Sequence, residues 1–217
     1  MCPCPISYGM SNRYDTLAVI LATEAKGEYD LWCVCFTKHF GKMRLLAKGV
    51  RKPSSKLRSA LQPLSFSRIE FVQGRIWRVV DAVLQDRHEE LRSSPKSLRS
   101  ALAVVALCNR LIQEKEPDGI LWDRLLEALS ILNNKKEGPL VASLAYYHFL
   151  WNLLVRCGYG PSSKDLKKEA PQAVFFVNSL LGESLLNVDR FRLKELAKEE
   201  FTRVSRAYLE RACVLAS

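Results

Sequence analysis

Short apolar segments separated by polar stretches fill residues 17–84. Five of them, each 7 to 10 residues long, read LAVILAT, LWCVCFT, KMRLLAK, LSFSRIEFV and RIWRVVDAVL. Some alternate strictly between apolar and polar positions and others are continuously apolar, as in the strands of a small closed or half-open barrel. Between the last two segments, Gln73-Gly74 predicts a tight hairpin turn in which the glycine adopts a positive φ. The pattern therefore predicts a five-stranded β-barrel.

Beyond His88 the apolar period becomes helical. Residues 140–157, which follow Pro139, are apolar nearly all round, so they are predicted to form the buried central helix of a bundle that ends at Gly158. In chain order the other predicted segments are amphipathic helices at 97–114 and 120–133, a polar linker at 162–172, a short apolar piece at 173–181, and a last helix from 189 or 190 to about 214.

These two patterns divide the chain into a loose leader at 1–12, a barrel domain at 13–88 and a helical domain at 89–217, an α+β fold. The first residues lack the charged and then apolar pattern of a signal peptide. No apolar run approaches the roughly 20 residues that span a bilayer. A cytoplasmic protein without membrane contact is predicted.

Charge changes this picture from a plain globular protein to a candidate polyanion binder. The chain carries 33 Lys and Arg against 23 Asp and Glu, a net charge of +10. Residues 1–88 hold 14 basic and 7 acidic side chains, net +7, which leaves 19 and 16, net +3, for the rest. A cationic barrel domain is the electrostatic footprint of a protein that binds nucleic acid or an anionic surface.

The excess charge is concentrated after the second predicted strand. No carboxylate occurs between Asp30 and Glu70, so nine Lys and Arg side chains have no partner nearby in the sequence. Five of them fall within the eleven positions from Lys48 to Arg58. Cations on a loop between barrel strands can neutralise successive phosphates and release their counterions, whereas the plain alternative is a solvated turn. We predict that this loop binds nucleic acid.

The barrel also contains aromatic side chains that can stack on bases, worth about 1–3 kcal/mol per base. For each of them packing in the core is the alternative, and Trp77 is the best stacking candidate because Arg75 and Arg78 flank it. The sequence has no GxxxxGK[ST], GxGxxG, HExxH or GxSxG motif. Its seven cysteines are scattered without a CxxC pair. We therefore predict free thiols, no metal, no cofactor and no enzymatic activity.

Three stretches resemble one protein family. FTKHFGKMRLLAKGVRKPSSKLRSALQPLSF, residues 36–66, is similar to the signature of the bacterial recombination mediator RecO. AVILATEAKGEYDLWCVCFT upstream is similar to that family's opening strands, and LVRCGYGP at 154–161 to an element near the end of its central helix. The resemblance covers most of residues 14–161.

The resemblance implies an N-terminal OB-fold joined to an α-helical domain, without enzymatic activity. It implies binding to single- and double-stranded DNA, annealing of complementary strands coated by the single-strand-binding protein SSB, and loading of RecA together with RecR, at the nucleoid. The DNA-binding positions that match the family are Lys42, Arg44, Lys48 and Arg51, and Lys52, Lys56 and Arg58 are added on charge alone. The helical domain is expected to bind the acidic, apolar-tipped SSB tail, with Arg110, Arg124 and Arg156 as candidate contacts.

The sequence departs from the family pattern in one place, and two alternative functions stay open. Many RecO proteins carry a four-cysteine zinc module after this GYxP-like element, but no cysteine follows Cys157 here until Cys213, so no zinc site is expected. An OB barrel serves RNA as well as DNA, which leaves an RNA-binding protein associated with the ribosome or transfer RNA as the alternative. A cationic scaffold that binds only acidic proteins is a third interpretation.

Overall fold

The computed structural model describes residues 13–134, 139–169, 171, 173–182 and 195–216. The predicted leader at 1–12 therefore lies outside the described residues. Five strands form a closed barrel in the order β1-β2-β3-β5-β4. They are β1 (Arg13–Lys26), β2 (Asp30–Thr37), β3 (Gly41–Ala47), β4 (Phe66–Val72) and β5 (Arg78–Asp86). The predicted barrel is confirmed.

Alternation along the strands fills the barrel. On β2 the thiols of Cys33 and Cys35 point inward, and they meet Leu45 of β3 and Phe71 of β4, all fully buried. β3 lies parallel to β5, whereas the other strand pairs are antiparallel. Five strands closed in this order form the OB-fold topology, which the resemblance implied.

The predicted hairpin glycine is wrong. Gly74 is not among the glycines with a positive φ, which within the described residues are Gly27, Gly41, Gly49 and Gly158. The chain between β4 and β5 runs through residues 73–77, so the longer connection removes the need for a left-handed residue.

Seven helices follow within the described residues: α1 (Glu89–Ser93), α2 (Pro95–Leu111), α3 (Gly119–Leu132), α4 (Pro139–Arg156), α5 (Ser163–Glu169), α6 (Val174–Gly182) and α7 (Glu195–Leu215). The predicted polar linker at 162–172 is wrong in part, because it contains α5. Ser162 caps this helix by accepting a hydrogen bond from the Asp165 amide at 3.1 Å, and Leu166 is buried. The predicted start of the last helix, at 189 or 190, falls outside the described residues.

The helices pack directly on the barrel. One buried cluster joins Val19 and Phe36 of the barrel to side chains of α2, α3 and α4, and the rings of Phe36 and Trp122 lie 5.9 Å apart. The Lys115 amide donates a 2.9 Å hydrogen bond to the carbonyl of Lys42. At this contact Gly41 has a φ of +68°, and a Cβ added there would lie 2.4 Å from the Glu116 carbonyl oxygen.

Substituting Gly41 therefore tests the junction between barrel and helices. Gly41→Ala is expected to lower the free energy of unfolding by about 2–5 kcal/mol, the sum of a left-handed backbone cost of about 1–2 and an overlap cost of about 1–3. Gly27→Ala is the matched control, because Gly27 has a φ of +65° and no atom within 4 Å of the added Cβ. It should lose only the backbone cost. Equal losses in urea denaturation would contradict the close approach of Glu116.

Candidate nucleic-acid interface

The basic segment after β3 is held against the turn between β1 and β2. The Gly49 amide donates to the Asp30 carboxylate at 2.8 Å, and the Arg51 amide donates to the Tyr29 carbonyl at 2.9 Å. Further along, Ala60 and Leu61 are buried in the barrel core. The backbone that carries the cations is therefore anchored at both ends, which limits the entropy lost when the segment binds a ligand.

All five cations of this segment are exposed: Lys48, Arg51, Lys52, Lys56 and Arg58. The Arg51 guanidinium donates to the Gly27 carbonyl at 3.0 Å, and that of Arg58 donates to the Arg51 carbonyl at 2.6 Å. The Lys52 ammonium lies 5.4 Å from the centroid of the Tyr29 ring. These partners are neutral, so they orient the side chains without cancelling their charge. In the described part of the chain none of the five forms an ion pair with a carboxylate.

Arg44, in contrast, is partly neutralised. Its guanidinium is 3.0 Å from the Glu24 carboxylate of β1 and 4.6 Å from the centroid of the Trp32 ring. About half of the Arg44 side chain is exposed, so water and salt weaken the ion pair. Although Arg44 has no carboxylate near it in the sequence, the fold gives it one, because β1 brings in a carboxylate that lies 20 residues away.

Lys42 does not lie with the other cations. Its side chain is buried where α2 and the following turn cover β3, and its ammonium donates to the Asn109 carbonyl at 2.8 Å. Desolvation by this burial lowers the pKa of Lys42, against the opposite effect of nearby Glu114. The position gives Lys42 a structural contact at the junction, and we leave it out of the proposed interface.

The fold adds cations that sequence reasoning did not select. The Lys26 ammonium lies 4.5 Å from the centroid of the Trp32 ring, next to Arg44. Trp32 pairs with Leu46 across β2 and β3, and Leu46 pairs with Arg78 of β5. Arg75 and Lys48 lie beside this pair. The alternation of residues along β1, β2 and β3 could have indicated which side chains point outward. The strand order that brings these side chains together could not be deduced from the sequence.

We call the exposed set the cationic barrel face. It extends over the end of β1, the outside of β3, the segment that follows β3, the connection from β4 to β5, and the start of β5. Its members are Lys26, Arg44, Lys48, Arg51, Lys52, Lys56, Arg58, Arg75 and Arg78. Lys48 follows β3 directly and is the first cation of the exposed segment.

Trp77, the aromatic residue proposed to stack on bases, is packed at the rim of the barrel. Its ring centroid is 5.6 Å from those of Tyr14 and Phe71, and its side chain is only partly exposed. Through these contacts the Trp77 ring is part of the packing of the barrel core. Trp32, on the outside of β2, is the aromatic residue that lies among the cations.

The three arginines predicted to bind an acidic tail have partners within the chain. Arg110 of α2 donates to the Cys213 carbonyl at 2.7 Å, and Arg124 of α3 pairs with Glu127 at 2.9 Å. Arg156 of α4 pairs with Asp118. An acidic ligand at any of these positions has to compete with these contacts.

Other chemistry is sparse in the residues that the structure describes. They contain no group of three or more His, Cys, Asp or Glu side chains arranged to hold a metal ion. Among them, no helix combines the length and apolarity needed to cross a membrane. Burial raises the pKa of the Cys108 thiol and raises that of Cys157 to about 11, so both thiols stay protonated near neutral pH.

A closed barrel of OB topology with a helical bundle packed on it defines the class of OB-fold proteins that carry an appended helical domain. Comparison with known proteins specifies the family. The model for "Recombination protein O N terminal" matches residues 10–83, and that for "Recombination protein O C terminal" matches residues 92–166. The chain belongs to the RecO family.

Curated relatives named "DNA repair protein RecO" agree with this assignment. The protein of Syntrophomonas wolfei is 30% identical over 145 residues, 66% of this chain and 56% of the relative. That of Cutibacterium acnes is 30% identical over 156 residues, 70% and 63% of the two chains. That of Acetivibrio thermocellus is 22% identical over 229 residues, 92% and 91% of the two chains. The chain thus spans between half and two thirds of the length of the first two relatives.

The structural role of Lys42 can be tested by removing only its amine. Lys42→Met keeps the aliphatic stem but leaves the Asn109 carbonyl without its donor, so the free energy of unfolding should fall by about 1–3 kcal/mol. Lys56→Met removes the same group from an exposed position and should change stability by less than about 0.5 kcal/mol. Urea denaturation measures both. Equal stability of the two variants would refute the structural role.

Proposed function

We propose that this protein is a non-enzymatic DNA-repair mediator that binds single- and double-stranded DNA through the cationic barrel face. It anneals complementary single strands and, with RecR, helps load RecA onto SSB-coated DNA. The observation that carries the proposal is the exposed set of cations whose partners are mostly carbonyl oxygens and aromatic rings rather than carboxylates. Membership in a family whose curated members are named DNA repair proteins supports it.

Annealing follows from the charge distribution without any bond-making chemistry. Two complementary strands repel each other through their phosphates, and a cationic surface that neutralises phosphates of both lowers this repulsion. Contacts to phosphates position the backbone and leave base edges available for pairing. The anchored basic segment presents Arg51, Lys52 and Lys56 on one exposed stretch of chain, so several phosphates can be neutralised together. Such a surface needs no metal or cofactor.

Partners of the helical part belong to the same proposal. An SSB tail, acidic and apolar at its tip, would bind there, with Arg110, Arg124 and Arg156 as candidate contacts. Because each guanidinium already has a partner, the tail must replace the contacts to Cys213, Glu127 or Asp118. RecR is the second proposed partner and RecA is reached indirectly. The proposed location is the nucleoid in the cytoplasm.

Annealing of SSB-coated complementary oligonucleotides by the purified chain tests the mediator function directly. The expected result is faster strand pairing than with SSB alone, measured by fluorescence resonance energy transfer. Competition between single-stranded DNA and structured RNA at equal salt separates this function from the RNA-binding alternative. Preference for the RNA, or no acceleration of pairing, would overturn the proposal.

Charge removal in the basic segment gives a quantitative prediction. The triple variant Arg51→Gln, Lys52→Gln, Lys56→Gln should lower the magnitude of the slope of log K against log salt on single-stranded DNA by about 2, at roughly 0.7 per phosphate contact. It should also slow annealing. Fluorescence anisotropy titrations at several salt concentrations measure the slope.

A control of equal net charge is available elsewhere on the molecule. Arg13, Arg68 and Arg203 each pair with a carboxylate, those of Glu70, Asp15 and Glu200. Changing these three arginines to Gln should leave the slope nearly unchanged, because the three side chains lie outside the cationic barrel face. If both triple variants shift the slope equally, binding depends on net charge and not on the cationic barrel face.

A further inference from the structure

A shallow depression of about 280 Å³ lies on the barrel where the end of β3 meets the start of β5. The pairing of Leu46 with Arg78 and a 2.9 Å hydrogen bond from the Leu46 amide to the Trp77 carbonyl hold the two strands together there. The lining side chains are Leu46, Lys48, Arg75, Ile76 and Arg78. The depression is therefore part of the cationic barrel face.

The lining combines two kinds of chemistry. Ile76, which is 39% exposed to water, supplies apolar surface, whereas Leu46 is buried at 5% exposure and contributes little of it. Lys48, Arg75 and Arg78 line the depression with the aliphatic parts of their side chains, which end in cationic groups, and no carboxylate is among the lining residues. Cations alone would serve a phosphate, so the apolar surface between them points to a ligand with both an apolar face and flanking negative charges.

The residues around the depression are likewise apolar and cationic. Trp32 pairs with Leu46 from the neighbouring strand, and Lys26 and Arg44 lie over its ring. Cations thus lie near both Ile76 and Trp32, which are separated by the buried side chain of Leu46. The volume is just below the roughly 300–1,000 Å³ of pockets for drug-sized ligands, which suits a single nucleotide unit better than a large cofactor.

We propose that this depression receives one unpaired base of single-stranded DNA, while Lys48, Arg75 and Arg78 hold the adjacent phosphates. The inference rests on the proposed function and adds a contact to a base to what is otherwise a phosphate-binding surface. In duplex DNA the bases are stacked and paired, so only a single strand can place one against Ile76. The depression thereby favours single strands over duplex.

An acidic peptide with an apolar end has similar chemistry. The position of the depression favours DNA, because Lys48 connects it to the exposed segment that carries Arg51 and Lys52. Lys48 belongs both to the lining of the depression and to the basic segment, so a strand bound along the segment lies next to the depression. The peptide is therefore treated as an outcome of the test.

The test compares two fluorescent oligonucleotides of equal length and charge, oligothymidylate and its abasic counterpart with only deoxyribose and phosphate. The wild-type chain should bind oligothymidylate about tenfold more tightly than the abasic strand in anisotropy titrations. Ile76→Ser should abolish this difference without changing abasic binding or the salt slope. Val83→Ser, at a 53% exposed apolar residue of β5 outside the depression, is the control and should keep the difference.

A second variant tests the cations separately. Arg75→Gln with Arg78→Gln should weaken both strands alike and lower the magnitude of the salt slope by about 1.4, at roughly 0.7 per contact. Urea denaturation of Ile76→Ser checks that it folds, and if it does not, Ile76→Thr takes its place.

The outcomes separate the two proposals. Equal wild-type affinity for both strands would overturn the base contact but leave phosphate binding intact. No affinity for either strand would overturn both. If an acidic peptide with a C-terminal Phe binds the wild type but not Ile76→Ser, and both strands bind equally, the depression is a peptide site and the base contact is refuted.

Discussion

The pairing of Leu46 with Arg78 between β3 and β5 closes the barrel, and the arrangement of its charges depends on that closure. The two residues are far apart along the chain and belong to strands that run parallel. Their contact places the connection after β4 beside the start of the basic segment. Cations from separate parts of the sequence therefore face the same solvent region, which is the condition for binding one polyanion at several points.

The balance of charges also differs from one side of the barrel to the other. Across β1 and β4, Arg68 pairs with Asp15 at 2.7 Å and Arg13 with Glu70 at 3.9 Å, so that side is close to neutral. Around β3, cations contact carbonyl oxygens and aromatic rings, with Glu24 the one carboxylate found in an ion pair with the described members of the face. Because the charge is unevenly distributed, the electrostatic potential is more positive on one side of the barrel, which the net charge alone would not produce.

The helices determine which part of β3 remains available. They cover its beginning, where Gly41 accommodates the backbone of Glu116 and the Lys42 ammonium binds the Asn109 carbonyl. Phe36 and Trp122 place aromatic packing at the same junction. A lysine at this position is costly to bury unless its charge is hydrogen-bonded, which the carbonyl at the end of α2 achieves. The bundle thus confines the exposed cations to the other end of the strand.

The chain by itself determined the five strands, the main helices and the concentration of charge between Lys48 and Arg58, because alternation, helical period and the lack of nearby carboxylates are local properties. It also carried the RecO signature. Only the tertiary structure decided which cations share a surface. Lys42 is buried, and Arg44 forms an ion pair with Glu24. The cationic barrel face also includes Lys26, Arg75 and Arg78. The tertiary structure likewise replaced part of a polar linker with α5. These outcomes depend on strand order and on helix packing, which join residues distant in sequence and leave no periodic trace in it.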